Sequence, residues 1–231
     1  MKNLNIFSLV AEYDNAKSGG VLDVPNVSFV DEDSSVRYLI DLTHNGYEYV
    51  DLGLSVKWAT CNVGATSPEQ AGLYFAWGET TGYTAEQVPG VRAFTEDEYK
   101  AGPAASISAD LTLEQDAAHI NMGGKWRMPT KDEYQELLDN CNIVITDDYN
   151  ETGVKGKVFT SKVNGKSVFF PTVGDCHDSC VNNLGGYDGY YLSASWESSD
   201  SAWYLDFSYN GEYLKSFGSR YWGYSVRAVC E

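Results

Sequence analysis

Positive charge is scarce in this sequence. Its 231 residues include 16 Lys and Arg against 33 Asp and Glu, which gives a formal net charge of −17 at pH 7. Such a chain repels phosphate backbones and anionic headgroups, so nucleic acid and membrane surfaces are not expected as partners. The acidic residues are spread along the whole chain, and their ordinary role in that arrangement is solubility.

Long apolar runs are also missing. No stretch approaches the roughly 18 consecutive apolar residues that mark a membrane-spanning helix. The short apolar string at the N-terminus is interrupted by Asn5 and followed by Glu12 and Asp14. It therefore has neither the apolar core nor the cleavage site of a signal peptide. We predict no membrane insertion and no signal peptide.

The cysteines do not form a paired set. Their number is five, an odd count that argues against a complete disulfide framework and favours free thiols in a reducing compartment. Cys176 and Cys180 are the one close pair, for which a zinc site, a disulfide and free loop thiols are the alternatives. Structural zinc normally takes two separated pairs of ligands, and no second pair is visible, so free thiols are favoured.

Familiar catalytic and cofactor motifs are missing as well. The sequence contains no phosphate-binding loop, no dinucleotide fingerprint and no E-P-N or Q-P-D loop for calcium-dependent sugar binding. Asp175, Asp178 and Asp188 could hold an ion, but a solvated acidic loop is the favoured interpretation. Cys61 and Cys141 fall in strand and helix patterns typical of a core. We therefore predict no catalytic residue, no metal and no cofactor, and the protein is not expected to be an enzyme.

Aromatic residues, by contrast, are abundant. The chain has 17 Tyr and 6 Trp, and aromatics make up 14% of it. This composition favours strands over helices and an exposed adhesive surface. Residues 1–46 contain two short β-type runs around the acidic stretch 31–35, which predicts an N-terminal hairpin or anchoring arm. Residues 47–231 are predicted to form one main domain.

Local patterns predict several elements of that domain. Thr130 precedes Glu133 by three residues, a capping-box spacing, and apolar residues then recur at helical period, so a helix is expected from about Lys131 to Asn140. Asn164-Gly165 between apolar runs predicts a β-hairpin. Residues 80–112 are expected to form a long irregular loop with one helical turn near FTEDEYKA. Four strand-like pieces follow residue 185, so the predicted class is α+β with antiparallel sheets.

The order of these motifs resembles that of a known family. The chain contains, in succession, DLGLSVKWATCNVG, GLYFAWGE, GGKWRMPTKDEYQELL, FFPTVG, GYYLSAS, AWYLDF and a terminal GYSVRAV. This succession resembles the Fibrobacter succinogenes major paralogous domain over residues 47–231. The resemblance implies a C-type-lectin-like fold, shared with the relatives of formylglycine-generating enzyme, with antiparallel sheets, one or two helices and long loops.

The C-terminal segment is similar to a narrower group, the variable proteins of diversity-generating retroelements in gut phages and bacteria. Those proteins end in a similar G-[YF]-S-V-R segment, and adenine-directed mutagenesis diversifies their last stretch into a ligand-binding face. Substituting adenines in Asn codons can yield Tyr, Ser, Asp, Phe, Gly or Arg, and residues 187–224 are crowded with these types. The resemblance implies a variable region at about 187–227.

Strand alternation within this region suggests which residues bind. In AWYLDFS, a period of two places Trp203, Leu205 and Phe207 on an inward face, and the residues between them toward solvent. Tyr supplies a large rigid contact, and Ser and Asn supply adaptable hydrogen bonds, as in antibody paratopes. An alternative is that these aromatics are simply strand formers in a core. The predicted ligand-binding residues are Asp200, Tyr204, Asp206, Ser208, Tyr209, Tyr213, Ser216, Phe217, Ser219, Tyr221, Trp222 and Tyr224.

The resemblance also implies a partner and a location. The expected ligand is a protein or glycan on a host cell surface, and the expected location is a phage virion, in a tail or fibre, or the cytoplasm before assembly. A homo-oligomer is possible. Two alternatives remain open: a cell-associated adhesive or structural domain without diversification, and an enzyme of the formylglycine-generating type, which needs two cysteines close together in a cleft.

Overall fold

A computed structural model describes residues 27–32, 35–40, 42–208 and 211–231, with side chains in the last two ranges. Strands outnumber helices in the described part, which contains sixteen strands and three short helices. The sheets are antiparallel except where one strand pair runs parallel. The predicted α+β class, with helix as the minority, is therefore confirmed.

Sixteen strands are present in the described residues. In chain order they are β1 (Val27–Glu32), β2 (Ser35–Ile40), β3 (Thr43–His44), β4 (Tyr47–Val50), β5 (Lys57–Ala59), β6 (Tyr74–Phe75), β7 (Cys141–Thr146), β8 (Gly156–Ser161), β9 (Ser167–Pro171), β10 (Asp175–His177), β11 (Cys180–Asn182), β12 (Gly189–Trp196), β13 (Ser201–Ser208), β14 (Gly211–Ser219), β15 (Tyr224–Ser225) and β16 (Val229–Cys230).

The helices are short. They are α1 (Glu96–Ala101), α2 (Ala117–Met122) and α3 (Lys131–Asn140), with single 3-10 turns at Val88–Gly90, Pro103–Ser106, Leu113–Gln115 and Tyr149–Glu151. Helix α1 confirms the helical turn expected near FTEDEYKA. Helix α2, which begins after the N-cap Asp116, was not predicted.

Helix α3 forms where the capping signal predicted it. The Thr130 hydroxyl accepts a hydrogen bond from the Glu133 amide at 3.2 Å, and the Glu133 carboxylate accepts one from the Thr130 amide at 2.8 Å. Arg127 holds the same carboxylate through two nitrogens, at 2.8 and 2.5 Å. Tyr134 and Leu137 face the core and are fully buried, so the expected apolar face is confirmed.

The N-terminal hairpin is described by itself. Strands β1 and β2 pair antiparallel from Val27 opposite Ile40 to Glu32 opposite Ser35, which confirms the predicted pair of β-type runs. Contacts divide the chain into residues 1–42 and residues 43–231. Strand β3 therefore belongs to the second unit, whereas the predicted boundary followed residue 46. An anchoring role for the first residues stays a prediction.

Three sheets and a hairpin build the second unit. The largest sheet has the order β14-β13-β12-β15-β6, and the others are β16-β5-β4-β3, β7-β8-β9 and the β10-β11 pair. The predicted Asn164-Gly165 hairpin is the connection between β8 and β9, with Gly165 at a φ of 73°. The last strand returns to the beginning of the unit, since Val229 of β16 pairs with Trp58 of β5.

Both faces of strand β13 are covered, which overturns the alternation expected there. Leu205 and Phe207 are buried as predicted, but Tyr204 and Asp206 are each only 7% exposed. Trp203, expected inside, is partly exposed, with the Lys131 ammonium 4.9 Å from its ring centroid. The reason is the position of β13 between β12 and β14, where a separate core cluster lies on each side of the sheet.

Two buried arginines fix the C-terminal segment. Arg227 donates hydrogen bonds to the Asn62 side chain and to the carbonyls of Ala59 and Thr60, at 2.8 to 3.1 Å. Arg220 donates to three other carbonyls, those of Ile107, Ser199 and Ala104. Because burying a charge without such partners is costly, these networks hold the segment between the two arginines in one conformation.

Candidate functional site

The predicted ligand-binding residues divide by exposure. Tyr213 and Phe217 are 51% and 80% exposed, and Asp200 is exposed as well. Ser208, Ser216, Ser219, Tyr221 and Trp222 are half-buried. Tyr209 lies outside the described residues. The expectation that Tyr204, Asp206 and Tyr224 point to solvent is wrong, because all three are buried. Tyr204 and Tyr224 belong to the core cluster that also contains Leu192 and Ala202.

The exposed aromatic residues lie on an edge strand. Strand β14 is the last strand on one side of its sheet, so its outer edge pairs with no other strand in the described part of the chain. Tyr213 and Phe217 both belong to β14, and an edge strand with large exposed rings is accessible to a partner. These two side chains are the most direct candidates for contact with a ligand.

A recess adjoins the far end of this strand. Asp200, Ser219 and Tyr221 line an open recess with a volume of about 330 Å³, together with Tyr99 and Lys100 of helix α1. Three of the predicted residues therefore share one concave surface. Concave sites bury more of a ligand than a flat surface does, so this recess can add a directed contact to the edge strand.

Arg220 forms part of the same recess but is structural. Arg220 is 2% exposed, its guanidinium lies 4.4 Å from the Trp77 ring centroid, and it donates to three carbonyl oxygens. The Trp77 amide in turn donates to the Arg220 carbonyl at 2.8 Å. The recess therefore rests on a rigid part of the fold.

A row of side chains crosses three strands of the large sheet. Tyr190 of β12 lies opposite Asp206 of β13, and Asp206 lies opposite Tyr213 of β14. Residues directly opposite on neighbouring strands share one face of a sheet, so an acid lies between two tyrosines. Lys215, also on β14, forms an ion pair with Asp206. Its ammonium lies 5.5 Å from the centroid of the Tyr213 ring.

Further acids and tyrosines surround this row. The Tyr190 ring stacks on the Tyr224 ring at a centroid distance of 5.2 Å, and the Tyr204 ring lies 5.0 Å from the same ring. Negative charges of Asp188, Asp206 and Asp175 all act on the Tyr190 hydroxyl. We call this group the acidic aromatic cluster, and its members are Asp175, Asp188, Tyr190, Tyr204, Asp206 and Tyr224.

The cluster shifts the acidity of its members. Burial, opposed by His177 and assisted by the nearby Asp188 charge, raises the pKa of the Asp175 carboxyl. Burial also raises the pKa of Asp188, and the Asp206 charge adds to it. Burial raises the pKa of Tyr204 to about 12. Burial is the largest cause of each of these shifts, and neighbouring negative charge adds to it.

One polar atom in the cluster lacks a partner. Tyr224 is 2% exposed, and its hydroxyl has no hydrogen-bond partner among the described residues. The Tyr204 hydroxyl approaches it without meeting hydrogen-bond geometry. Gly218 makes room for this arrangement, since a Cβ there would lie 3.0 Å from the Tyr224 hydroxyl oxygen and 2.7 Å from the Tyr204 ring. An unsatisfied buried hydroxyl is uncommon and calls for an explanation.

Sequence reasoning missed half of this cluster. Asp175 and Asp188 were interpreted as part of a solvated acidic loop, but Asp175 is 7% exposed and Asp188 is half-buried. Tyr190 was not singled out at all. A usable signal was present, because Asp188 and Tyr190 are two residues apart in a strand pattern and therefore share a face.

No two cysteines are paired in the described residues. All five are free, and Cys176 and Cys180 lie in the β10-β11 pair rather than in a loop. Burial raises the pKa of the Cys176 thiol well above its ordinary value and raises that of Cys141 to about 11. A cysteine nucleophile needs a lowered pKa, so these two buried thiols suit packing better than catalysis.

Three other features bear on possible binding partners. Within residues 42–208 and 211–231, no three His, Cys, Asp or Glu side chains are grouped as metal ligands would be. None of the helices in the described part is long and apolar enough to cross a membrane.

Trp222 stacks on His177 at a centroid distance of 5.1 Å, which places a further aromatic pair beside Tyr224.

Comparison with known proteins gives no assignment. No family model matches the chain, no curated protein matches it, and no solved structure matches it.

Proposed function

We propose that this protein is a C-type-lectin-like ligand-binding protein that recognises a protein or glycan on a bacterial cell surface through its C-terminal strands. The proposal includes the retroelement type of diversification and a place in a phage virion, both of which follow from the resemblance of the motifs. Ligand binding without catalysis is its central claim.

The main support for the proposal is that exposed aromatic side chains in residues 199–224 lie on a part of the fold that buried hydrogen bonds hold in place. Tyr213 and Phe217 are exposed on an edge strand, and Tyr221 lines the adjoining recess. Arg220, which lies beside Tyr221 in the recess, ties the chain to carbonyls of distant segments, and Arg227 does the same three residues after Tyr224. Rigid aromatic side chains lose little entropy on binding and dominate the energetics of interfaces, so this arrangement suits recognition.

The same arrangement suits diversification. Side chains that project from an edge strand can change without removing core contacts, and surface substitutions usually alter stability by less than about 0.5 kcal/mol. Tyr213, Ser216 and Phe217 meet this condition, because none is buried. Tyr204 and Tyr224 do not, so we assign them to the framework in spite of their residue type.

A cell-binding experiment tests the proposal. The fluorescently labelled protein is titrated against a panel of intact gut bacteria, and bound protein is measured by flow cytometry. The variant Tyr213→Ser/Phe217→Ser/Tyr221→Ser should lose at least about tenfold in apparent affinity for any strain that the unaltered protein binds, since hot-spot side chains each contribute about 2 kcal/mol.

The matched control carries three exposed apolar substitutions elsewhere, Leu113→Ser/Ile120→Ser/Val144→Ser, at 48%, 52% and 61% exposure. It should bind as the unaltered protein does. Equal binding by both triple variants would contradict the proposal. For diversification, the sequence of the neighbouring DNA decides: a reverse-transcriptase gene and a near-copy of the last segment that differs at adenines support it, and their absence favours an undiversified adhesive domain.

A further inference from the structure

The recess beside the end of strand β14 has a balanced set of charges. Its lining contains two acids, Glu96 and Asp200, and two bases, Lys100 and Arg220. Lys100 forms an ion pair with Glu96, one turn away on helix α1, and the remaining two charges are opposite in sign. The recess therefore contains no excess of either charge, so a neutral ligand suits it better than a cation or an anion does.

The polar side chains of this recess include both donors and acceptors of hydrogen bonds. Ser199, Asp200 and Lys100 are exposed, and Ser219 is half-buried, so a ligand can reach them. An ammonium only donates, a carboxylate only accepts, and a serine hydroxyl does both. A ligand whose polar groups are hydroxyls can pair with all of these side chains, because each hydroxyl also donates and accepts.

Two tyrosine rings form the walls of the recess. Tyr99 is buried, and its hydroxyl donates to the Trp77 carbonyl at 2.8 Å, which fixes the ring in place. Tyr221 is half-buried and packs edge-on against the Trp222 ring at a centroid distance of 6.4 Å. These rings give the recess a rigid apolar surface next to its polar groups.

A second recess adjoins the first. It has a volume of about 130 Å³ and is also lined by Tyr99 and Tyr221. Its Arg92 and Glu98 side chains form an ion pair at 3.6 Å, and burial raises the pKa of its third ionisable group, Glu79, which disfavours the charged form. Two polar recesses that share the same rings suit a ligand made of consecutive similar units.

We propose that these two recesses bind a neutral oligosaccharide, with one sugar residue in the larger recess beside Tyr99 and Tyr221 and the next one in the smaller recess. This inference rests on the proposed binding function and names its ligand as a glycan. Sugar hydroxyls match the mixed donors and acceptors, and the aliphatic faces of sugar rings pack on tyrosine rings. The volume of the larger recess, about 330 Å³, lies within the usual range for small-molecule sites, about 300 to 1,000 Å³.

Other ligand classes fit these recesses less well. A peptide side chain would need an apolar pocket or an excess of opposite charge, and Ala105 is the one aliphatic residue among the described residues that line the larger recess. An acidic sugar would be repelled by the net charge of −17 as well. An amino sugar would add a cation where Lys100 already pairs with Glu96.

Saturation-transfer difference NMR with short sugars tests the inference. The neutral probes are maltotriose, cellotriose, mannotriose and xylotriose, and the charged probes are trigalacturonic acid and the trimer of glucosamine. At least one neutral trisaccharide should receive magnetisation from the protein, and neither charged trimer should. The monosaccharide of the trisaccharide that binds should bind more weakly, because it leaves one recess empty.

A pair of double variants locates the binding. Lys100→Ala/Asp200→Ala removes one donor and one acceptor from the larger recess without changing the net charge, and it should raise the dissociation constant about tenfold, since hydrogen bonds to charged groups are lost. Asp132→Ala/Lys166→Ala removes the same two residue types from exposed positions elsewhere and should change it by less than about twofold. Near-ultraviolet circular dichroism verifies that both variants are folded.

Three results would overturn the inference: no transfer to any neutral trisaccharide, equal weakening by the two double variants, or stronger binding of a charged trimer. The outcomes also separate the inference from the proposed function. If trisaccharide binding needs Lys100 and Asp200 while the Tyr213, Phe217 and Tyr221 triple variant still binds cells, the glycan site stands and the proposed function fails. If the triple variant loses cell binding and no trisaccharide binds, the function stands and the glycan site is rejected.

Discussion

The two faces of strand β13 are almost equally buried, yet they are built from different chemistry. On one face Leu205 and Phe207 pack against apolar and aromatic side chains, with Phe207 stacked 5.7 Å from the Tyr191 ring. On the other face Tyr204 and Asp206 border carboxylates and an unsatisfied hydroxyl. Burial alone therefore does not distinguish structural from functional residues. The better criterion is whether each buried polar group has a hydrogen-bond or ion-pair partner.

The apolar face should contribute most of the stability. Phe207→Ala removes a fully buried ring, so we expect the free energy of unfolding to fall by about 3 to 5 kcal/mol. Urea denaturation followed by tryptophan fluorescence measures the change. Phe217→Ala, at an exposed ring on the next strand, should stay within about 0.5 kcal/mol of the unaltered protein. Similar losses in both variants would remove the distinction between a supporting core and an exposed surface.

The polar face should behave in the opposite way when its unsatisfied group is removed. Tyr224→Phe keeps the buried ring and deletes the hydroxyl that has no partner in the described residues. Since an unsatisfied buried polar group costs about 1 to 3 kcal/mol, the variant should be about 1 kcal/mol more stable in the same urea experiment. A clear loss of stability would instead mean that the hydroxyl has a structural partner.

The smallest expected effect is a dependence of stability on pH. Because the pKa of Asp175 is raised in the folded protein, the native state keeps a proton that the unfolded chain has already released. Stability should therefore fall as pH rises from the ordinary aspartate pKa, about 3.9, to the raised value, and then level off. Asp175→Asn should flatten this part of the curve and be the more stable form at neutral pH.

Urea midpoints measured between pH 4 and pH 8, at about 25 °C, give that curve. Asp132→Asn, at an exposed position on helix α3, provides the comparison and should leave the curve unchanged. A curve for Asp175→Asn that parallels the unaltered protein would show that the Asp175 carboxyl has no cost in the fold.

The sequence predicted the elements whose determinants are local. The capping box at Thr130 and Glu133 and the apolar period after it are contained within a few residues, and helix α3 forms there. The Asn164-Gly165 hairpin and the strands after residue 185 are likewise specified by neighbouring residues. Helix α2 was missed, although Asp116 caps it by accepting from the His119 amide at 2.9 Å.

The candidate site was only partly predictable, because its residues come from separate strands. Alternation in β13 predicted the burial of Leu205 and Phe207 but not the partial exposure of Trp203, and it contains no information about what covers each face. Tyr204 and Asp206 were therefore placed in solvent. Gly174 and Gly189, which immediately precede Asp175 and Tyr190, form a bridge between two segments that are distant in sequence. Such contacts depend on the order of strands in the sheet, and no local pattern determines that order.

The cell-binding titration of the Tyr213→Ser/Phe217→Ser/Tyr221→Ser variant tests the central claim most directly. The account predicts a loss of at least about tenfold in apparent affinity, with unchanged circular dichroism and an unaffected Leu113→Ser/Ile120→Ser/Val144→Ser control. Undiminished binding by the first variant would contradict it, because the C-terminal strands would then not be the surface that meets the ligand.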